Sequence, residues 1–267
     1  MGILNVTPDS FSDGGRYLDH DDAVAHGLAM VRDGADLVDV GGESTRPGAT
    51  PVPSDEEQRR VVAVVRDLVA EGVHVSIDTR HADVARACVD VGAVIVNDVS
   101  GGRGDAAMWP YIAESGVTYV LMHNRGDGIA RPDLAQGTAP EIVWSELDQR
   151  SDEAARAGIR PERIVLDPGI GFAKDAVGNW RLVDHAVLGD AVHRRRPVLL
   201  GVSRKRFLGT HPDGTPRIDD SMEQRDRLTV QLTERAARHG IWCVRVHDVA
   251  PNAEVVRRVR AGGWMES

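Results

Sequence analysis

Cysteine is nearly absent: the 267-residue chain has two, Cys88 and Cys243. Two thiols in apolar surroundings give neither a disulfide framework nor metal-ligand spacing, so both are expected to be buried and inert. Aromatic residues make up 4% of the chain, too few for the stacking surface that a single-stranded nucleic acid needs. No run approaches the ~18 consecutive apolar residues of a membrane-crossing helix. No secretory signal precedes the first strand-like segment, so a cytoplasmic location is expected. Positive charge is in deficit, and a net charge of −9 argues against a nucleic-acid partner. The run Arg194–Arg196 reads as a solvated face, the run Arg204–Arg206 less so. There is no Gly-x-Gly-x-x-Gly after the first strand, no phosphate-cradling Gly-Lys-Ser/Thr loop and no internal repeat.

Glycine, by contrast, is plentiful at 28 residues, clustered after short apolar runs where tight turns or anion-cradling loops would need it. Those runs are rich in Val and Ile, as strands buried on both faces should be. Eight occur: residues 3–6, 36–40, 73–77, 94–97, 118–121, 164–166, 197–201 and 241–246. Helical patterns lie between them. Residues 55–71 bring Val61, Val62, Val65, Leu68 and Val69 to one face, and Ser54 with Glu57 has capping-box spacing. Further helices are read over 22–33, 82–91, 106–115, 140–157, 179–188, 221–239 and 252–260. The Gly/Pro-containing segment 210–220 reads as a mobile loop. Eight strand–helix pairs in one chain of this length predict an α/β fold: a single-domain (β/α)8 TIM barrel spanning residues 1–267. An open doubly wound sheet is the alternative.

In such a barrel the active site lies at the C-terminal ends of the strands. All eight predicted ends carry polar residues, and collectively these have no bland explanation. Any one alone does: a lone Asp after a strand caps a helix or a turn about half the time, and a lone His such as His123 is often structural. Sorted by charge, the ends form two sets. Asp78, Asn97, Asp167 and Lys205 suit a neutral heterocycle with many N–H donors, with Met122 and Phe172 as apolar faces for it. Asn5, Arg46, Arg245 and His247 suit phosphate or diphosphate oxygens. Asn5 could also offer its carbonyl oxygen to Mg²⁺. No zinc-type cluster and no nucleophile–histidine–acid arrangement is evident. The charge pattern points to displacement of a phosphorylated leaving group.

The runs NVTPDSFSDGG (residues 5–15) and GGESTRPG (41–48) resemble the first and second loops of the dihydropteroate synthase family. So do SIDT (76–79), NDVSGG (97–102), DPGIGF (167–172), SRK (203–205) and RVHDV (245–249). The resemblance runs from Gly2 to about Val259, and the two long loop motifs are highly specific. It implies a (β/α)8 barrel, a homodimer, and the joining of 6-hydroxymethyl-7,8-dihydropterin diphosphate to 4-aminobenzoate with release of pyrophosphate. It further implies that Asp78, Asn97, Met122, Asp167, Phe172 and Lys205 hold the pterin, and that Asn5, Arg46, Arg245 and His247 hold the diphosphate with Mg²⁺ on Asn5. Phe11, Thr45, Pro47, Ser203 and Lys205 would frame the aminobenzoate, the position for which sulfonamides compete in the family. Asp13 would come over the reacting carbon, so that Asp13, Asp78, Lys205, Arg245 and His247 form the implied catalytic set.

Two other readings compete. One is a pterin-binding paralogue that has lost condensation or uses another amine. The other is a binding scaffold, which would leave the two glycine-rich loops carrying Asp13 and Arg46 without a purpose. The methyltetrahydrofolate-binding methyltransferases share the pterin chemistry but lack the two loop motifs. Helix residues 225–235 are more polar and bulky than the resemblance implies for a dimer region.

Overall fold

The structure, a computed structural model, describes residues 1–6, 16–44, 50–125, 139–188 and 196–262. Strands and helices alternate: β1 (Gly2–Asn5), α1 (Arg16–Arg32), β2 (Val38–Gly41), α2 (Ser54–Ala70), β3 (Val75–Asp78), α3 (Ala82–Asp90), β4 (Ile95–Asp98), α4 (Met108–Ser115), β5 (Thr118–Met122), α5 (Pro140–Arg156), β6 (Ile164–Asp167), α6 (Ala176–Leu188), β7 (Leu199–Leu200), α7 (Met222–Arg238), β8 (Cys243–Val244) and α8 (Val249–Ala261). Strands β1 to β6 form one parallel sheet in chain order, and β7 pairs with β8. Parallel bridges Leu166↔Val198 and Gly2↔Val246 join the two sheets. At the seam Val246 N donates to Met1 O and Ile3 N to Val246 O, both at 3.0 Å. The wall is therefore closed, and the fold is the (β/α)8 barrel that the eight strand–helix pairs predict.

The two-residue period of a strand explains the core. Val38, Val40, Val75, Ile77, Val96, Leu121, Leu166 and Leu200 point outward into the large cluster shared with the helices. Residues of the opposite parity point inward, where Met1, Ile95, Val120, Val165 and Leu199 form a separate buried cluster against Leu37 and Cys243. Helix α2 shows the matching helical pattern. Val61, Val64, Val65 and Leu68 are fully buried, and Asp55, Glu56 and Glu57 stand in its first turn, where the helix dipole favours anions. Among the described residues no helix is long and apolar enough to cross a membrane.

Several local expectations are corrected. Helix α1 begins at Arg16 rather than near Asp22. Ser54 does not cap α2: Pro53 holds the cap position, the Ser54 hydroxyl donates to Asp83 at 2.8 Å, and Glu57 turns inward to His81 Nδ1 at 2.7 Å. Strands β7 and β8 are two residues long rather than five or six. Segment 210–220 is tied down: His211 N donates to Thr215 O at 2.8 Å and Arg217 N to Gly209 O at 2.9 Å. Trp180 Nε1 also donates to Thr210 O at 3.2 Å. The polar helix α7 buries Leu228, Thr229, Leu232, Thr233 and Ala236, and Thr233 donates its hydroxyl to Asn252 on α8 at 2.6 Å.

Candidate active site

One register step above the inward apolar cluster, the strand ends change character. Asn5, Gly41, Asp78 and Asn97 are successive register partners across β1 to β4, and Met122 is paired with Asp167 across β5 and β6. The same regularity that builds the barrel core thus delivers five polar or apolar site candidates to one rim, with Gly41 leaving space between Asn5 and Asp78.

Asp39 breaks the pattern. It sits at an inward position two residues before Gly41 and is fully buried. Its Oδ2 accepts from Asn97 Nδ2 at 3.0 Å and from Arg245 Nε at 2.5 Å. Arg245 also reaches Asp78, Nη2 to Oδ2, at 2.6 Å. The structure therefore joins through Arg245 what sorting by charge separated into two subsites. Because Asn97 gives its amide nitrogen to Asp39, its Oδ1 faces away from Asp39, and among the described residues that atom has no hydrogen-bond partner.

The remaining strands close the site. A methyl group placed on Gly201 would lie 3.9 Å from Lys205 Nζ and 4.0 Å from both Arg245 Cβ and Asp167 Oδ2. Those three side chains, from the end of β6 and the segments after β7 and β8, converge above a glycine that has no side chain to fill the space. Lys205 Nζ donates to Ile170 O and stands 4.9 Å from the centre of the Phe172 ring, a cation–π separation. Gly169 N donates to Asp167 Oδ1 at 2.7 Å. The loop carrying these groups needs its glycines. Gly169 has φ +65° and Gly171 φ +81°, and a Cβ on Gly169 would stand 2.0 Å from His123 O. Ser203 Oγ lies 3.0 Å from His247 Nδ1 and also accepts from His247 N at 3.1 Å, so these two predicted residues form one unit.

Burial shapes the charges. It raises the Asp78 carboxyl to about 7 despite the opposing Arg245 guanidinium. It raises Asp167 too, against Lys205. It lowers Lys205 to about 8, against the pull of Asp167. Burial also acts to lower Arg245, but Asp39 and Asp78 outweigh it and its pKa is raised. The floor is thus an arginine fixed as a cation beside Asp78 and Lys205, both of which burial draws toward neutrality.

One ligand atom each of Glu43, Glu57 and His81 lies within 4.8 Å of the others, a grouping that could hold a metal ion. Its donors are already engaged: Glu43 accepts from Arg80 at 2.8 and 3.0 Å and from Val52 N at 2.8 Å. Phe11, Asp13, Thr45, Arg46 and Pro47 lie outside the described residues. Sequence reasoning assigned no role to Asp39 or Lys174. The signal for Asp39 was a carboxylate at an inward position of an otherwise apolar strand.

The comparisons with known proteins agree with this geometry. Residues 1–247 match the pterin binding enzyme family. The dihydropteroate synthase of Mycobacterium leprae is 50% identical over the whole of this chain and 93% of its own length. Among solved structures, Xanthomonas albilineans dihydropteroate synthase with 4-aminobenzoic acid superposes with a TM-score of 0.85 at 40% identity, covering 99% of this chain and 93% of that one. The same enzyme in complex with 7,8-dihydropteroate gives a TM-score of 0.82 at 38% identity, over 98% of this chain and 92% of that one. With its barrel closed and the signature residues of β3, β4, β6, β7 and β8 gathered at one rim, the chain belongs to the dihydropteroate synthase family of pterin-binding enzymes.

Proposed function

We propose that the chain, acting as one domain over residues 1–267, condenses 6-hydroxymethyl-7,8-dihydropterin diphosphate with 4-aminobenzoate to give 7,8-dihydropteroate and pyrophosphate. The observation that carries this reading is the convergence of Asp167, Lys205 and Arg245 above Gly201, together with the buried Asn97 Oδ1, which has no hydrogen-bond partner among the described residues. A 2-amino-pyrimidinone edge offers several N–H donors, which Asp167 and Asn97 can accept, and a ring oxygen or nitrogen that Lys205 can meet. Met122 and Phe172 bracket the ring. Arg245 and His247, with Arg46, take the diphosphate.

The chemistry is displacement at the pterin methylene carbon. The carbon–oxygen bond breaks and its electron pair leaves with pyrophosphate, whose growing charge the arginines offset. Asp78 and Asp167 favour the cation that develops on the pterin. The arylamine nitrogen, mostly neutral at pH 7, attacks the carbon and then loses a proton to solvent. By the family resemblance, Asp13 would come over the reacting carbon, and Phe11, Thr45, Pro47, Ser203 and Lys205 would frame the aminobenzoate, where sulfonamides would compete.

Asn5 is the group that would hold Mg²⁺: it is half-buried at the rim, next to the space left by Gly41. A hard cation with few protein ligands suits a single amide oxygen plus phosphate oxygens. Magnesium, when bound, would draw charge from the leaving diphosphate. The protein is read as a cytoplasmic homodimer whose partners are small molecules, and the net charge of −9 supports the lack of a nucleic-acid partner.

A pyrophosphate-release assay with the dihydropterin diphosphate, with and without 4-aminobenzoate, tests the reading. Release that requires the arylamine, with dihydropteroate formed, is expected. Release only with another amine would favour a paralogue with a different acceptor.

A further inference from the structure

The chain holds 32 lysines and arginines, and only two of them, Lys174 and Lys205, are lysines. Wherever else a cation stands it is arginine, and both lysines lie at the pterin end of the candidate site. Lys205 has a role in the proposed function. Lys174 has none, yet it is the more elaborately held. Its Nζ donates to Gly169 O and Phe172 O, both at 2.9 Å, and lies 3.1 Å from His123 Nδ1. Three acceptors around one nitrogen match an ammonium, whose three N–H bonds diverge from a point, and not the flat fork of a guanidinium. The space is also tight, since a Cβ on Gly169 would stand 3.3 Å from that nitrogen.

His123 extends the arrangement. Its Nδ1 accepts from Lys174, so its proton sits on Nε2, which donates to Glu146 at 3.0 Å. Glu146 in turn accepts from Arg125 at 2.9 and 3.1 Å. Burial and the Lys174 charge lower His123 to about 4, which leaves the ring neutral, as this pattern of bonds requires.

We propose that Lys174 is a positioning residue of the pterin pocket: it gathers the Gly169 and Phe172 carbonyls and, braced by His123 and Glu146, holds the Phe172 ring and the Ile170 carbonyl against Lys205. This rests on the pterin reading of the site. The loop after β6, with Gly169 and Gly171 at positive φ, is thereby tied to the ammonium at two of its carbonyls. The titratable and charged groups facing Lys174 are Lys205 from the loop after β7, Asp167 from β6, the neutral His123 and Arg125 after β5, and Glu146 from α5. Burial lowers Lys174 to about 7. As pH rises through that value the amine loses a proton, and one of its three donated bonds is lost with it.

Two lysines make the test direct. Protein labelled only at lysine with ¹³C and ¹⁵N should show two side-chain signals, assigned by Lys174→Arg, with Lys174 titrating near 7 and shifting when 6-hydroxymethylpterin is added. In steady-state assays Lys174→Met and Lys174→Arg should both raise the KM for the dihydropterin diphosphate about tenfold or more, with the KM for 4-aminobenzoate changed far less. Failure of the arginine variant separates the shape of the ammonium from its charge. If the methionine variant does not fold, Glu146→Gln, at a half-exposed position, should give a smaller rise in the same KM. An unchanged pterin KM in the arginine variant, or a Lys174 signal that ignores the pterin, would overturn the proposal. An inactive wild-type enzyme would instead overturn the pterin reading itself.

Discussion

The two parts of the barrel wall hold their site residues in different ways. From β1 to β6 the strands are paired over three or four residues each, and this part carries Asp78, Asn97 and Asp167. Strands β7 and β8 are paired over two residues and joined to the rest by single bridges. That thinner part leads to Ser203, Lys205, Arg245 and His247. Where the ladder is long, strand register sets the backbone position of an acid, whose carboxylate then takes a partner: Arg245 for Asp78 and Gly169 N for Asp167. Where it is short, each cation or imidazole has a further tie: Arg245 to Asp39 and Asp78, Lys205 to Ile170 O, and His247 to Ser203.

The contrast can be broken at those ties. Asp39→Ala should have the largest effect. It leaves the Arg245 guanidinium half-satisfied and frees the Asn97 amide, and removing one partner of a buried ion pair costs about 3–5 kcal/mol. Urea unfolding measures this, and a loss below about 1 kcal/mol would mean that register holds Arg245 unaided. Ser203→Ala should cost less, about 1 kcal/mol, read as a severalfold fall in kcat/KM without a matching loss of stability.

The smallest effect belongs to a pair outside the thin part. Glu57 hydrogen-bonds His81 and raises its pKa above 6.5, against a smaller desolvation effect. Its stabilisation is full below about 6.5 and is lost as pH rises through the higher folded value. His81→Gln should remove that slope, because the fully buried Glu57 carboxylate then faces a group that does not titrate. A denaturation midpoint that keeps its pH dependence in the variant would place the titrating group elsewhere.

The same contrast governs what could be read in the sequence. The strand-end residues were legible because register and two-residue alternation are local: Asp78, Asn97, Met122 and Asp167 follow Val/Ile runs directly. Strand lengths were not, since only two residues of each run pair in β7 and β8, and a run of apolar residues does not say how many of them pair. Asp39 was hidden because its meaning depends on Arg245, 206 positions along the chain. Lys174 was hidden because its partners are mostly backbone carbonyls, which carry no sequence signal. The Ser54–Glu57 spacing misled for the opposite reason: a local motif was overridden by the tertiary pull of His81 on Glu57.

The most direct test of the account is the affinity of Asp167→Asn for 6-hydroxymethylpterin by calorimetry. Asp167 sits on a full-length ladder, already holding Gly169 N with one oxygen, so the variant should keep its fold and lose only its match to the pterin donors. The account predicts a loss of about 2–5 kcal/mol in binding. An affinity equal to that of the wild type would contradict it.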